Sequence, residues 1–227
     1  MERVALFDID YTLLKSHFGH RKAFSKGFLD VFKIKASKFA SMGGRIDNQV
    51  IYEVMLENGV PEKQVRAKLK QCGEAIQNNF LKLVENGEVR VETLGGVQET
   101  LLALKKNEIR VGLLTGNMAA IGWKKLEMLN LRNFFEFGIF GDQGMTRPEI
   151  AKLAVEFVKG KFGILKKNIV VIGDTDNDIK AATEAGMKVI GVATGNFSKE
   201  DLKKAGADAV VSNLENASEI LRLVKEL

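Results

Sequence analysis

The chain has 227 residues, with 34 Lys and Arg against 29 Asp and Glu and a net charge of +5. Its single cysteine, Cys72, excludes an internal disulfide and is typical of a reducing compartment. No apolar run approaches the ~20 residues of a membrane span, and the short apolar start, interrupted by Asp8, does not resemble a signal peptide. We therefore expect a cytoplasmic protein with no membrane partner. The sequence leaves the oligomeric state open between monomer and homodimer. No finger, basic zipper or aromatic RNA-binding pattern indicates a nucleic-acid partner.

The first third of the chain combines one strand with a helical stretch. An apolar run at residues 3–7 predicts a short buried strand. From about residue 15 to about residue 90 the apolar spacing is helical, and we predict no strand there. The expected helices cover 18–33, 47–59 and 61–86. Asp47 is expected to cap the second of them.

After residue 90, short strands and helices alternate. Strands are expected at 110–114, 137–140, 168–172, 189–192 and 209–211, and helices at 97–106, 118–129, 148–158, 178–185, 199–205 and 215–225. This alternation predicts an α/β fold, a doubly wound Rossmann-like parallel sheet with helices on both faces. The first strand must pair into that sheet, so we predict a core of residues 1–14 and 91–227 with an inserted α-helical cap at 15–90.

The basic excess lies in the predicted cap. Residues 15–45 carry 8 basic side chains and 1 acidic one. Two interpretations remain open, a solvated lysine-rich helix face or a positive surface that attracts anionic ligands.

Polar residues follow four of the predicted strands, and the carboxyl ends of parallel strands share one edge of a sheet. They are Asp8 and Asp10, then Thr115, Gly116 and Asn117, then Arg147, and finally Asp174 and Asp178. A hydroxyl, backbone amides exposed by glycine and a cation suit phosphoryl transfer, which depends on positioning and charge neutralisation. The four carboxylates would repel one another by roughly 4 kcal/mol per pair at 4 Å and an effective dielectric of 20. A hard divalent cation such as Mg²⁺ removes that repulsion.

Four motifs carry a family resemblance that spans essentially the whole chain. They are Phe7-Asp8-Ile9-Asp10-Tyr11-Thr12-Leu13, Leu114-Thr115-Gly116-Asn117, Arg147-Pro148, and Gly173-Asp174 with Asp178. In this order the chain resembles phosphatases of the haloacid dehalogenase superfamily with a helical cap inserted after the first strand, phosphoglycolate phosphatases among them. The resemblance implies Mg²⁺-dependent hydrolysis of a small phosphorylated metabolite through an aspartyl-phosphate.

The resemblance also implies a role for each motif residue. Asp8 is the nucleophile, and Asp10 protonates the leaving oxygen and later deprotonates water. Asp8, the Asp10 carbonyl and Asp174 hold Mg²⁺, while Asp178 orients the metal shell or the cation. Thr115, Gly116 and Asn117 bind phosphoryl oxygens. The dehalogenases that name the superfamily carry tyrosine at the Asp10 position, so Asp10 favours phosphate chemistry.

The sequence departs from the family pattern at three positions. Tyr11 stands where glycine is usual and Lys15 where an acid is common. Arg147 stands at the motif that usually supplies lysine. We expect Arg147 to be the phosphate-binding cation. Lys152 is the second choice, and the alternative interpretation of Lys152 is a solvated lysine on a helix surface.

Cap residues are assigned more coarsely. Gly43-Gly44-Arg45 resembles the cap loop that faces the site, so Arg45 is expected either to bind an anionic group of the substrate or to lie on the surface. His20 is read as a hinge or surface histidine in preference to a proton shuttle. Cys72 and Trp123 are read as packing residues.

Two other functions stay open from the sequence. One is a phosphomutase of the β-phosphoglucomutase type. The other is a non-catalytic binding or regulatory module that uses the basic cap to hold a partner.

Overall fold

The computed structural model describes residues 2–36, 38 and 44–227. The strands are β1 (Val4–Phe7), β2 (Leu14–Ser16), β3 (Val91–Thr93), β4 (Arg110–Leu114), β5 (Phe137–Ile139), β6 (Ile169–Gly173), β7 (Lys188–Val192) and β8 (Ala209–Val211). The α-helices are α1 (His20–Phe32), α2 (Asp47–Glu57), α3 (Glu62–Glu85), α4 (Val97–Lys106), α5 (Ala119–Met128), α6 (Arg147–Phe162), α7 (Asp176–Ala185), α8 (Lys199–Lys204) and α9 (Ala217–Glu226).

Six parallel strands form the central sheet in the order β5-β4-β1-β6-β7-β8. The first strand therefore lies inside the sheet, with Val4 in register with Arg110 of β4 on one side and Ile169 of β6 on the other. Such a strand needs apolar residues on both faces, and all four residues of β1 are fully buried. The predicted doubly wound α/β fold is confirmed.

Two apolar clusters cover the two faces of the sheet, because successive strand residues point to opposite sides. Ala5 and Phe7 belong to a cluster with residues of α4, α5 and α9. Val4 and Leu6 belong to a second cluster with residues of α6, α7 and α8. With helices on both faces, the carboxyl edge of the sheet is where loop residues from several strands come together.

Helices α1, α2 and α3 pack around a third apolar cluster, and we call this helical segment the cap. Its buried aromatic residues include Phe24, Phe28 and Phe80. The cluster also contains Met118 and Ile121, which lie at the start of core helix α5. Helix α5 therefore packs against both the cap and the core.

A short antiparallel pair, β2 with β3, flanks the cap in the sequence. The prediction of no strand between about residue 15 and about residue 90 was wrong at its start, because β2 spans Leu14–Ser16. The strand has only three residues and one buried apolar side chain, so it carries no alternating pattern. Its pairing places Lys15 opposite Glu92, and charge complementarity across the strands replaces the missing apolar signal.

Asp47 does not cap its own helix as predicted. The residue before it, Ile46, holds the extended N-cap conformation, and no side chain caps α2. The Asp47 carboxylate instead accepts the backbone N–H of Met118, at the N-terminus of α5. The cap thus supplies the hydrogen-bond acceptor for a core helix. Of the predicted loop Gly43-Gly44-Arg45, Gly43 lies outside the described residues.

Across the described ranges 2–36, 38 and 44–227, no helix combines the length and apolarity needed to cross a membrane.

Candidate active site

A cavity of about 1110 Å³ lies at the carboxyl edge of the sheet, where the core loops meet the cap. Polar side chains from both parts line it. From the core they include Asp8, Asp10, Asn117, Arg147 and Asp174, and from the cap side His17, His20, Arg45 and Asp47. Most of the residues predicted at the strand ends therefore line one cavity, while Thr115 and Asp178 are buried and absent from its lining.

Asp8 is fixed at the end of β1. Its backbone N–H donates to the Ile172 carbonyl at 2.9 Å, which extends the hydrogen bonding between β1 and β6 by one residue. The side chain is buried and accepts a hydrogen bond of 3.0 Å from Nη2 of Arg147. Burial raises the pKa of Asp8 to about 6, against the opposing effect of the Arg147 charge.

Arg147 is the first residue of α6, directly after the N-cap Thr146, whose hydroxyl accepts the Glu149 N–H. A cation at a helix N-terminus is opposed by the helix dipole. Its guanidinium is nevertheless buried, because it donates to both Asp8 and Asp178. Burial alone would lower its pKa, but these two carboxylates raise it above its ordinary value.

Asp178 is held from a second direction. Its Oδ2 accepts the backbone N–H of Thr175 at 3.1 Å and the Thr175 hydroxyl at 2.7 Å, in a reciprocal cap of α7. Gly173 makes this approach possible, since a Cβ there would lie 2.6 Å from the Asp178 carboxyl carbon. The helix cap and the ion pair to Arg147 thus use the two oxygens of one carboxylate.

Asp8, Asp174 and Asp178 form a buried carboxylate cluster in which one oxygen from each lies within 4.8 Å of the others. Arg147 is the cation that contacts two of its members. Burial raises the pKa of Asp174 to about 9, and the Asp178 and Asp8 charges add to the effect. Three hard oxygen donors with one counter-charge fit a divalent cation, which would supply the missing positive charge.

A glycine lies against the open side of this cluster. A Cβ at Gly195 would lie 1.9 Å from Oδ2 of Asp174. The carboxylate therefore occupies space that any other residue at 195 would fill. Thr12 approaches the other oxygen, with its hydroxyl 3.5 Å from Oδ1 of Asp174.

Asp10 has a different partner from Asp8. Its carboxylate accepts from Nζ of Lys125 at 2.7 and 2.9 Å and from Nδ2 of Asn117 at 2.8 Å. Burial acts to raise its pKa, but the charges of Lys125 and His20, with the two hydrogen bonds, lower it overall. The two aspartates of the motif thus lie in opposite electrostatic environments, Asp8 with a raised pKa and Asp10 with a lowered one. Metal binding through the Asp10 backbone carbonyl stays a prediction.

Lys125 was missed by the sequence reasoning. Its side chain is fully buried, which is rare for lysine unless it is paired. A signal did exist, because Lys125 lies four residues after the buried Ile121 and next to the buried Leu126 of α5. A lysine on the apolar stripe of a helix conflicts with the local pattern, and such conflicts mark functional sites.

The loop after β4 joins the core to the cap. Thr115 is buried, and its hydroxyl oxygen accepts from Nδ2 of Asn117 at 3.0 Å. The carbonyl of Gly116 accepts the backbone N–H of Asp47 at 2.9 Å. Position 116 must be glycine for this contact, since a Cβ would lie 2.3 Å from the Arg45 carbonyl oxygen.

The remaining predicted residues are placed as follows. Arg45 lines the cavity, and its guanidinium pairs with Glu53. Lys152 is exposed and is absent from the cavity lining, because it lies on the outer side of α6. His20 is not a surface histidine, since its ring is partly buried between Lys125 and Asp47. Tyr11 adopts φ +57°, a left-handed conformation that explains why glycine is usual at this position.

A carboxylate cluster at the end of the central strand, beside two buried cations and open to a cavity, is an arrangement suited to holding a metal ion and an anionic ester. The chain belongs to the haloacid dehalogenase-like hydrolase family, and the sequence model of that family matches residues 5–192. It is 31% identical to a phosphorylated carbohydrates phosphatase of Thermotoga maritima, over 74% of this chain and 80% of the relative. It is 27% identical to a phosphoglycolate phosphatase of Yersinia pseudotuberculosis, over 93% and 89% of the two chains.

A solved structure shares the whole architecture. A hydrolase from Pseudomonas syringae superposes with a TM-score of 0.71 at 21% identity, covering 98% of this chain and 99% of that one. This likeness concerns the fold. Together the comparisons confirm the predicted superfamily and the predicted enzyme class, a phosphatase.

Proposed function

We propose that the protein is a Mg²⁺-dependent phosphatase that hydrolyses a small phosphomonoester through an aspartyl-phosphate on Asp8. The observation that carries the proposal is the opposite setting of the two motif aspartates. Asp8 lies in the carboxylate cluster with Arg147, and Asp10 is paired with Lys125. Because each carboxylate has its own cation, the two can be oriented separately, Asp8 toward phosphorus and Asp10 toward the leaving oxygen.

In the first half-reaction an Asp8 carboxylate oxygen attacks phosphorus and the ester P–O bond breaks. Asp10 gives its proton to the departing alkoxide oxygen. The lowered pKa of Asp10 describes the free site. A phosphoryl group bound beside Asp10 adds negative charge there and favours its protonated form.

In the second half-reaction water attacks phosphorus and the bond between phosphorus and Asp8 breaks. The water proton passes to Asp10, whose ionised state in the free site suits it to act as a base. Arg147 holds Asp8 in place through both steps and adds a fixed positive charge near the phosphoryl oxygens. Thr115, Gly116 and Asn117 are proposed to bind those oxygens.

Asp8 and Asp174, with the Asp10 carbonyl, are proposed to hold the metal ion. Mg²⁺ is the proposed ion because the donors are hard oxygens and the substrate is a phosphate. When bound, such an ion neutralises charge on the phosphoryl oxygens and fixes their orientation. Asp178 is proposed to orient Arg147, to which it is already bonded.

The cap is proposed to select the leaving group, because its residues form the far wall of the cavity. A volume of about 1110 Å³ accommodates a small phosphorylated metabolite with room to spare. Arg45 is proposed to bind an anionic group of the substrate by exchanging its Glu53 partner. Cellular location is proposed to be the cytoplasm, where the buried thiol of Cys72 stays reduced.

A phosphate-release screen over small phosphometabolites, with Mg²⁺ and with a chelator, tests the function. We expect release only with the metal, abolished in Asp8→Asn and nearly so in Asp10→Asn. Full activity in purified Asp8→Asn would contradict the mechanism. Phosphorylated product without free phosphate, in the presence of a sugar bisphosphate, would identify a mutase instead.

The specificity of Arg45 is tested against a matched cap arginine. Arg66 also forms an ion pair within the cap, with Glu62, but is exposed and outside the cavity lining. We expect Arg45→Met to raise KM for substrates with a second anionic group, and Arg66→Met to leave it unchanged. Equal KM values in the two variants would remove Arg45 from substrate binding.

A further inference from the structure

We propose that Lys125 is a positioning residue that orients the Asp10 carboxylate toward the leaving oxygen and that, through His20, ties this orientation to the docked position of the cap. The inference rests on the proposed phosphatase function and adds to it a residue outside the motifs. It concerns the acid–base step and not the metal site.

The first support is the hydrogen bonding of the Lys125 ammonium, which has three N–H donors. Its Nζ lies 2.7 and 2.9 Å from the two Asp10 oxygens, 2.8 Å from Oδ1 of Asn117 and 3.3 Å from Nδ1 of His20. Three groups thus accept from one buried ammonium. Because Asn117 also donates to Asp10, the carboxylate is held by two donors at fixed places.

The second support is that one of the three acceptors belongs to the cap. His20 is the first residue of α1, and its Nε2 lies 3.3 Å from Oδ1 of Asp47, the first residue of α2. Asp47 in turn is bonded to core backbone groups, the Met118 N–H and the Gly116 carbonyl. A chain of close polar contacts therefore leads from Asp10 through Lys125 and His20 to Asp47 and back to the core, in which the approach of His20 to Asp47 is a proximity without hydrogen-bond geometry.

The third support is the position of α5 itself. The N-terminal part of this helix packs into the cap cluster through Met118 and Ile121, while Lys125, one turn further on, faces Asp10. A movement of the cap away from the site would remove the His20 acceptor and loosen the packing of the same helix. The buried ammonium then keeps only Asp10 and Asn117 as partners and loses its polar contact with the cap, so the arrangement seen around Asp10 belongs to the docked cap.

Arg147 and Lys125 therefore compensate the charges of different carboxylates. Arg147 contacts Asp8 and Asp178, and Lys125 contacts Asp10. The nucleophile is oriented by a core cation alone. The acid–base group is oriented by a cation that also contacts the cap, so proton transfer is completed only with the cap docked on the site.

The test compares two esters that differ in their need for an acid. An alkyl phosphate leaves as a strongly basic alkoxide and needs the proton, whereas p-nitrophenyl phosphate leaves as a weakly basic phenolate. The kcat/KM value reports the steps up to formation of the aspartyl-phosphate. For Lys125→Met we expect kcat/KM to fall about 100-fold with the alkyl phosphate, in the range of general acid catalysis, and less than about tenfold with p-nitrophenyl phosphate.

Methionine keeps the volume and apolar character of the buried stem, and Asp10 retains its bond to Asn117. Lys124→Met is the matched control, because Lys124 is a neighbour on the same helix whose ion pair with Glu127 lies on the surface. It is expected to match the wild type on both esters. A parallel loss on both esters in a folded Lys125→Met protein would assign Lys125 a structural role only and overturn the inference.

The cap link is tested with His20→Ala, which leaves Lys125 and Asp10 in place. We expect the same selective loss on the alkyl phosphate, about tenfold, and no further loss when His20→Ala is added to Lys125→Met. Independent, additive losses would contradict the link.

A thermal unfolding measurement in chelator adds a readout that needs no turnover. Asp10→Asn leaves the buried Lys125 without its carboxylate, so Lys125→Met is expected to raise Tm in that background and not in the wild type. Equal shifts in both backgrounds would contradict the pair. A wild type inactive on both esters, with normal Tm coupling, would instead contradict the phosphatase function and with it the catalytic role of Lys125.

Discussion

Replacing Arg147 with methionine removes the cation that contacts two members of the carboxylate cluster. Nη2 of Arg147 lies 3.0 Å from Oδ1 of Asp8, and the guanidinium also donates to Asp178. At this separation and an effective dielectric of 20, one such pair is worth roughly 5 kcal/mol before the cost of desolvation. Loss of one partner from a buried pair costs about 3–5 kcal/mol in practice. We therefore expect the free energy of unfolding to fall by about 3–5 kcal/mol.

The assay is urea unfolding at pH 7 in chelator, combined with kcat/KM in saturating Mg²⁺. Lys152→Met is the matched control, since Lys152 lies on the same helix but is exposed, and its free energy of unfolding is expected to change by less than about 0.5 kcal/mol. For Arg147→Met we also expect kcat/KM to fall by about 100-fold or more, as for loss of one fixed electrostatic group.

A distinct pH effect accompanies this loss. Without Arg147 the buried carboxylates are stabilised by protons, so part of the lost stability should return as the pH is lowered from 7 to 5. Unchanged stability in Arg147→Met, or an equal loss of activity in Lys152→Met, would refute the assignment of Arg147 as the cation of the site.

Three further predictions follow from other features of the molecule. In chelator, the free energy of unfolding should fall as pH rises from about 4 to about 9. The reason is that folded Asp8 and Asp174, with pKa values raised to about 6 and about 9, keep protons that the unfolded chain has released. Urea titrations at pH 5, 7 and 9 measure this dependence, and a free energy of unfolding that rises with pH would contradict the prediction. Gly116→Ala should reduce kcat/KM at least tenfold, because the added methyl would lie 2.3 Å from the Arg45 carbonyl oxygen, and steady-state kinetics on the folded variant check this. Gly160→Ala, in α6 where a Cβ has no neighbour within 4 Å, should raise the stability by about 0.5–1 kcal/mol without changing activity, as measured by urea unfolding.

The sheet was predictable because each strand carries its own signal. Val4–Phe7 and Ile169–Gly173 are continuous apolar runs, and they form the two buried strands at its centre. Pairing between β2 and β3 was not predictable, because Leu14–Ser16 is stabilised by a partner almost eighty residues away and not by local pattern. Helix α6 continues to Phe162, beyond the predicted end at residue 158, because Gly163 in left-handed conformation ends it.

The site residues, like the strands, were predictable where a local signal marked them and not where only the folded chain brings them together. Asp8, Asp174 and Arg147 each directly follow a strand or begin a helix, so the topology alone brings them together. Lys125 lies in the middle of a helix and reaches Asp10 across the core, a contact that no spacing in the chain encodes. Asp47 was assigned to the wrong helix for a related reason, since a capping residue at a helix start can equally serve a helix from another part of the fold. His20 and Asp47 acquire their roles only when cap and core are in contact.

The central position of β1 has a consequence for how the protein is made. The neighbours of this strand in the sheet come more than 100 residues later in the chain, at Arg110 and Ile169. During translation the four apolar residues that precede Asp8 have no partner in the sheet until β4 has emerged, and their second partner, β6, comes later still. Folding of the core is therefore governed by contacts of long sequence separation, which form slowly. The contacts among the three cap helices are closer in sequence, so the cap can gain structure before β1 takes its place in the sheet.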